Sequence, residues 1–221
     1  MKARFYSLLI VVFLATFDKI VIGQDDLPLE FSTKKRVKRH NSRFLPIYNF
    51  QENDKVASIG VGSGVKEVMY TIESPKVYFY LQEINPYFLK SRYVKIYTYQ
   101  LEEMFGKKIK SEFKLFIGDS ISTNLPNVIF DKILIEHALH EFTHPKEMLA
   151  DIVSKLSKDG SLFILEEITD RPDDIHVGCG AKVYQEEDLL TLLDKFQCKL
   201  EGKYQLPSLF YNMFIFKFKK Y

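Results

Sequence analysis

The sequence predicts an α/β fold: a seven-stranded, mostly parallel, doubly wound sheet with one antiparallel strand at the C-terminal end. Three observations predict it. From Lys55 onward, short β-branched and aromatic runs alternate with amphipathic helical patterns, which implies parallel strands joined by covering helices. The first strand runs straight into a glycine-rich turn, Gly60-Val61-Gly62-Ser63-Gly64. The last two strands are separated by little more than Pro207-Ser208, too short for a parallel crossover, so one of them runs backwards.

The elements follow in order. Residues 56–59 are a short apolar strand, and 65–72 read as the helix after the glycines. Residues 77–84 are rich in aromatic and branched side chains and form the second strand. Pro86 opens a helical stretch to Phe105, stopped by Gly106. Residues 113–117 form the third strand, ending at Gly118-Asp119, and 129–135 the fourth. Residues 144–156 are an amphipathic helix with Pro145 in its first turn. Its Met148, Leu149, Ile152, Val153 and Leu156 recur at three-to-four spacing. A turn at Asp159-Gly160 leads into the fifth strand, 162–165. Residues 186–196 are helical, and the closing strands lie near 199–205 and 209–218.

The chain before Lys55 has a different character. Lys2 and Arg4 precede an uncharged apolar run at 5–17, too short to span a bilayer comfortably and suited to a signal-peptide core. Residues 1–23 are therefore expected to be a signal peptide, with an uncleaved N-terminal anchor as the alternative. The expected location is exported (periplasmic or secreted), or membrane-anchored if the leader stays. Residues 24–43 form a basic lead-in segment carrying Lys34, Lys35, Arg36, Lys38 and Arg39. A solvated, partly helical stretch is expected there, with membrane proximity as the alternative. Residues 44–221 form the domain. A net charge of +2 gives no case for nucleic acid. Cys179 and Cys198 are expected as separate thiols, although export would permit a disulfide. Nothing in the sequence indicates an oligomeric state.

In an open sheet of this kind, ligands bind beyond the carboxyl ends of the strands. Glycines at the end of the first strand let the backbone turn sharply and approach a ligand. The second strand ends in Gln82-Glu83-Ile84-Asn85, about 20 residues further on, where an acid can accept hydrogen bonds from a ribose diol. The third ends in Gly118-Asp119-Ser120, where a carboxylate can accept from an exocyclic amine such as that of adenine.

These residues resemble the class I, Rossmann-like S-adenosylmethionine-dependent methyltransferases. Residues 56–64 look like the first motif of that family, Glu83 its ribose-binding acid and Asp119 its adenine-side acid. Residues 130–135 resemble its fourth strand and 156–162 the turn into its fifth. The resemblance covers about residues 45–221. Within the family, residues 56–64, 139–142 and 175–179 resemble exported methyltransferase-like proteins of Bacteroidetes-type bacteria. It implies S-adenosyl-L-methionine as cofactor, held by Ser58, Gly60, Gly62, Gly64, Glu83, Ile84, Asp119, Ser120 and Glu136. Ser58 departs from the pattern, because the family usually carries an acid there; Glu67 is a candidate substitute.

The implied activity is methyl transfer to a small molecule or a protein side chain. The alternatives are a non-catalytic exported binding module and an NAD-dependent oxidoreductase. The dinucleotide fingerprint wants Gly-x-Gly-x-x-Gly, and here Val65 stands in its last place. A general base is useful where the acceptor carries a proton, and His140, Glu141 and His176 are the catalytic candidates. Glu166, Glu167 and Cys179 lie on the same edge. No metal site is expected: His137, His140 and His144 have suggestive spacing, but Pro145 starts a new helix and breaks the alignment.

Overall fold

The computed structural model describes residues 26–208 and 212–221. The expected leader at 1–23 lies outside the described residues. The sheet has seven strands: β1 (Lys55–Ile59), β2 (Tyr78–Glu83), β3 (Glu112–Ile117), β4 (Phe130–Glu136), β5 (Leu156–Ile168), β6 (Cys198–Leu206) and β7 (Asn212–Lys220). Their order is β3-β2-β1-β4-β5-β7-β6. The first five pair in parallel, and β7 is antiparallel to both β5 and β6. This is the mostly parallel sheet with one reversed strand that the closing turn predicts.

Among the described residues, five α-helices flank it: α1 (Lys34–Tyr48), α2 (Val65–Thr71), α3 (Ser91–Phe105), α4 (Pro145–Ser154) and α5 (Glu186–Asp194). Successive side chains of a strand point to opposite faces. Val56 and Leu134 therefore join the core under α1, α2 and α3, while Ala57, Ile59, Ile133 and Ile135 join the core under α4 and α5.

The segment expected as a solvated lead-in is instead part of the folded unit, and the expected domain boundary at residue 44 falls inside α1. Thr33 caps that helix, its Oγ1 accepting from the Arg36 amide at 3.3 Å. Val37, Phe44 and Tyr48 on one face are buried in the first core, and His40 stacks on Phe44 at 4.2 Å. The basic residues occupy the other positions, which is why composition alone reads as wet. An amphipathic stripe at 37, 41, 44 and 48 was the overlooked signal.

Two other expectations shift. The helix begins at Ser91 rather than Pro86, because Asn85 makes a turn instead: its Oδ1 accepts from the Tyr87 amide at 3.0 Å and its carbonyl from the Phe88 amide at 3.1 Å. Asp159-Gly160 does not interrupt the fifth strand, which starts at Leu156. Leu156 pairs with Phe130 and Ser161 with Lys132, so an irregularity absorbs the extra residues. Among the described residues, no helix is long and apolar enough to cross a membrane.

If α1 belongs to the core, truncating it must cost core energy. Tyr48 is fully buried, so Tyr48→Ala is expected to destabilise by about 3–5 kcal/mol in denaturant unfolding. A change of under about 0.5 kcal/mol, as for an exposed site, would return α1 to the role of a solvated lead-in.

Candidate functional site

A cavity of about 260 Å³ opens at the carboxyl ends of β1, β2, β3 and β4. Gly60, Glu83, Ile84, Asp119 and Ser120 line it, together with Gln82, Asn85, Phe88, His137, Ala138, Glu141, Phe142 and Met148.

The glycine loop follows from what β1 must do at its end. Gly60, Gly62 and Gly64 have φ of 69°, 56° and 77°, a region that side chains rarely adopt. A Cβ on Gly60 would sit 2.5 Å from the Ala138 Cβ, so β1 can exit beside β4 only without a side chain there. At Gly62 an added Cβ would meet nothing within 4 Å, which leaves open space beside the backbone.

Glu83 binds that loop to β2. Its Oε2 accepts from the Gly62 amide at 2.9 Å, and its Oε1 from the Ile84 and Asn85 amides at 2.8 and 3.0 Å. Two carboxylate oxygens offer about four acceptor positions, so capacity remains for a ligand hydroxyl. Asp119 is pinned in the same way, its Oδ1 accepting from Ile121 and Ser122 at 2.9 and 2.8 Å, and it is exposed to the cavity. Ile84 and Phe88 stand 55% and 46% exposed at the rim, an unusual waste of apolar surface unless something flat covers it.

Four of the expected cofactor contacts, Ser58, Gly62, Gly64 and Glu136, do not line the cavity. Ser58 is buried beneath the loop and its Oγ donates to Glu67 Oε1 at 2.7 Å. Glu136 shares the face of Leu134, not of Ile135, and so turns under α1 and α2. There Tyr48 and Tyr70 donate to its Oε1 at 2.7 and 2.8 Å, and Lys66 pairs with its Oε2 at 3.2 Å. Alternation along β4 could have shown this from sequence. Gly64 is likewise structural: it caps α2, and a Cβ there would come within 3.0 Å of Leu81.

The catalytic candidates separate. Glu141 is exposed and lines the cavity, whereas His140 and His176 do not line it. His140 Nδ1 donates to Glu166 Oε2 at 2.7 Å, and Glu166 also accepts from the Leu139 and His140 amides. Burial disfavours the charged ring, but the Glu166 bond and charge outweigh it and the His140 pKa is raised. His176 sits in a tight hairpin with Cys179, whose Sγ lies 3.1 Å from its Nδ1. Cys198 is buried and its thiol is pushed up to about 11 by burial; both cysteines are free thiols, as expected.

Sequence reasoning missed His137 as a cavity residue. It directly follows β4 with φ of 55°, a strained value for a residue with a side chain. It stands between this cavity and a second one lined by Arg36, Arg39, His40, Arg43 and Lys66. Its position directly after the fourth strand was the available clue.

Buried ionisable groups gather under the loop. Burial lowers His40 and His137 to about 4. Burial, then the charge of Glu136, raises Glu67 to about 7. Burial also opposes ionisation of Glu136, but Lys66 and the two tyrosine hydroxyls overcome it and hold it below the usual carboxylate range.

No family model matches the sequence, and no curated protein matches it. Solved structures do. A SAM-dependent methyltransferase of Methanosarcina mazei superposes with a TM-score of 0.61 at 17% identity, over 80% of this chain and 98% of that one. The 1,6-didemethyltoxoflavin-N1-methyltransferase of Burkholderia thailandensis, solved with S-adenosylhomocysteine, gives 0.59 at 15% identity over 100% and 90%. A [4+2]-cyclase gives 0.63 at 13% identity over 85% and 82%.

The buried groups make stability pH-dependent with a defined sign. His40 and His137 have depressed folded pKa values, so folding excludes their protons and stability is lost as pH falls from 6.5 towards 4. Glu67 has a raised folded pKa, so its contribution is complete below about 4.5 and lost as pH rises through about 7. Thermal unfolding should therefore peak near pH 6.5, and Glu67→Gln should lessen the decline between pH 6.5 and 8. An unaltered decline in that variant would remove Glu67 as its cause. Taken together, strand order, reversed β7 and the superpositions establish that this chain has the fold of the class I S-adenosylmethionine-dependent methyltransferases.

Proposed function

We propose that the cavity binds S-adenosylmethionine and that the chain transfers its methyl group to an acceptor entering beside His137 and Glu141. The observation that carries this is the pair of carboxylates, Glu83 and Asp119, pre-positioned by backbone amides at neighbouring strand ends on one cavity. Their separation of roles suits a nucleoside: Glu83 for the ribose hydroxyls, Asp119 for the adenine amine, and Ile84 and Phe88 for the ring faces. The open space beside Gly62 suits close backbone approach to the amino-acid end.

The bound sulfonium would supply an already activated methyl group. What the protein adds is alignment of the acceptor and exclusion of water. Glu141 and His137 are the polar groups on the acceptor side. His137 is neutral at pH 7 because burial holds its pKa near 4, so its ring can accept a hydrogen bond from an acceptor's O–H or N–H. Glu166 acts at one remove, holding His140 and the turn that carries Glu141.

The same topology argues against a nicotinamide enzyme. The dinucleotide fold has strand order 3-2-1-4-5-6, whereas here a reversed β7 lies between β5 and β6. Fold alone does not select methyl transfer, since a cyclase shares it. The paired carboxylates and the glycine loop make the case.

Calorimetric titration of the purified chain tests the reading. S-Adenosylmethionine and S-adenosylhomocysteine are expected to bind one per chain. Asp119→Ala is expected to weaken both by about tenfold or more, the worth of one or two hydrogen bonds to a charged group. Glu83→Gln should weaken them further, because it also disturbs the loop. Absence of heat at millimolar ligand, with the chain folded, would end the proposal.

A further inference from the structure

We propose that His140, His176 and Cys179 form a binding site for one borderline-soft divalent cation of the zinc class. The three come from two different elements. His140 lies in the 3-10 turn Leu139–Glu141 after β4. His176 and Cys179 lie in the hairpin after β5, closed by Gly180, where the His176 amide donates to the Ala181 carbonyl at 2.8 Å and the Gly180 amide to the His176 carbonyl at 2.9 Å. One donor atom from each of the three lies within 4.8 Å of the others.

The arrangement of the second nitrogens is what marks a ligand site. A metal-binding histidine commonly gives its other ring nitrogen to a carboxylate, which fixes ring and tautomer. His140 does so through Nδ1 on Glu166 Oε2 at 2.7 Å. His176 has Nε2 3.4 Å from Glu167 Oε2. Glu166, which is hydrogen-bonded, and Glu167, which stands at ion-pair distance only, are consecutive residues of β5. The remaining nitrogens turn inward: His176 Nδ1 is 3.1 Å from the Cys179 Sγ and accepts from the Cys179 amide at 3.3 Å, a long bond that the ion would replace. His140 Nε2 has no hydrogen-bond partner among the described residues, although its side chain is only 5% exposed. A buried ring nitrogen without a partner is costly, and a cation satisfies it.

Two imidazoles and a thiolate select a borderline-soft ion over Mg²⁺ or Ca²⁺, which take oxygen. Tetrahedral geometry with bonds of about 2.0–2.3 Å puts neighbouring donors about 3.3–3.8 Å apart, so a movement of about 1 Å in the exposed hairpin closes the site. Cys179 binds as thiolate and its proton passes to the buffer. The fourth position falls next to Glu141, whose Oε1 is 3.9 Å from His140 Nε2. The ion would brace the loop after β4 against the hairpin after β5, beside the acceptor side of the cavity.

The test uses the full chain, stripped of metal and titrated with Zn²⁺ alone, with bound ion counted by native mass spectrometry. Because no S-adenosylmethionine is present, failure here is separate from failure of the proposed function. One ion per chain is expected. Cys179→Ser, at an exposed site, and His176→Ala should each weaken binding by about 100-fold or more, and Glu167→Gln by about 10-fold or more. His144→Ala, on the exposed residue before α4, should leave it unchanged. Binding that is absent, or equally strong in Cys179→Ser, or equally reduced in His144→Ala, overturns the proposal.

Discussion

Glu83 ties the glycine loop to the end of β2 through three backbone amides, and the cavity takes its shape from that tie. Within itself the loop makes one backbone bond, from the Gly64 amide to the Val61 carbonyl at 3.0 Å. Its three glycines sit at positive φ, which only a residue without a side chain adopts cheaply, and that freedom is also loop entropy to be lost on folding. A charged acceptor bonded to backbone amides is among the stronger hydrogen-bond arrangements available. With it in place, the Gly60 amide returns to the Gln82 carbonyl at 2.9 Å, and β1 and β2 end side by side with an open crevice between loop and strand.

Beneath the loop lies a second carboxylate system that holds the helices. Glu136 gathers Tyr48 from α1 with Tyr70 and Lys66 from α2, while Ser58 and Glu67 bridge β1 to α2. Burying two acids so close together is expensive, and the chain resolves it by different means. Glu136 keeps its charge because it has three donors; Glu67, with one hydroxyl and a negative neighbour, is driven towards the neutral form. Ser58 spends its hydroxyl inside the fold, donating to Glu67 of α2 at 2.7 Å.

The sheet was legible because its signals are local: β-branched runs, glycine and proline stops, and a final turn too short for a crossover. Glu83 and Asp119 were legible for the same reason, since they lie at or just beyond strand ends on the edge where open sheets bind ligands. Glu136 was misplaced because position in sequence was weighed without the period-two alternation that turns it to the other face. The role of α1 was hidden by its basic residues, which mask the buried stripe of Val37, Asn41, Phe44 and Tyr48 spaced three and four apart. His140, His176 and Cys179 come together through a hairpin and a turn that share no sequence pattern, so their proximity is a property of the fold alone.

The most direct measurement of the central claim is a crystal structure of the chain grown with S-adenosylhomocysteine. The account predicts the ribose hydroxyls on the Glu83 carboxylate, the adenine amine at Asp119 and the amino-acid end over Gly62. A nucleoside bound elsewhere, or ordered crystals from saturating ligand with nothing beside Glu83, would contradict it.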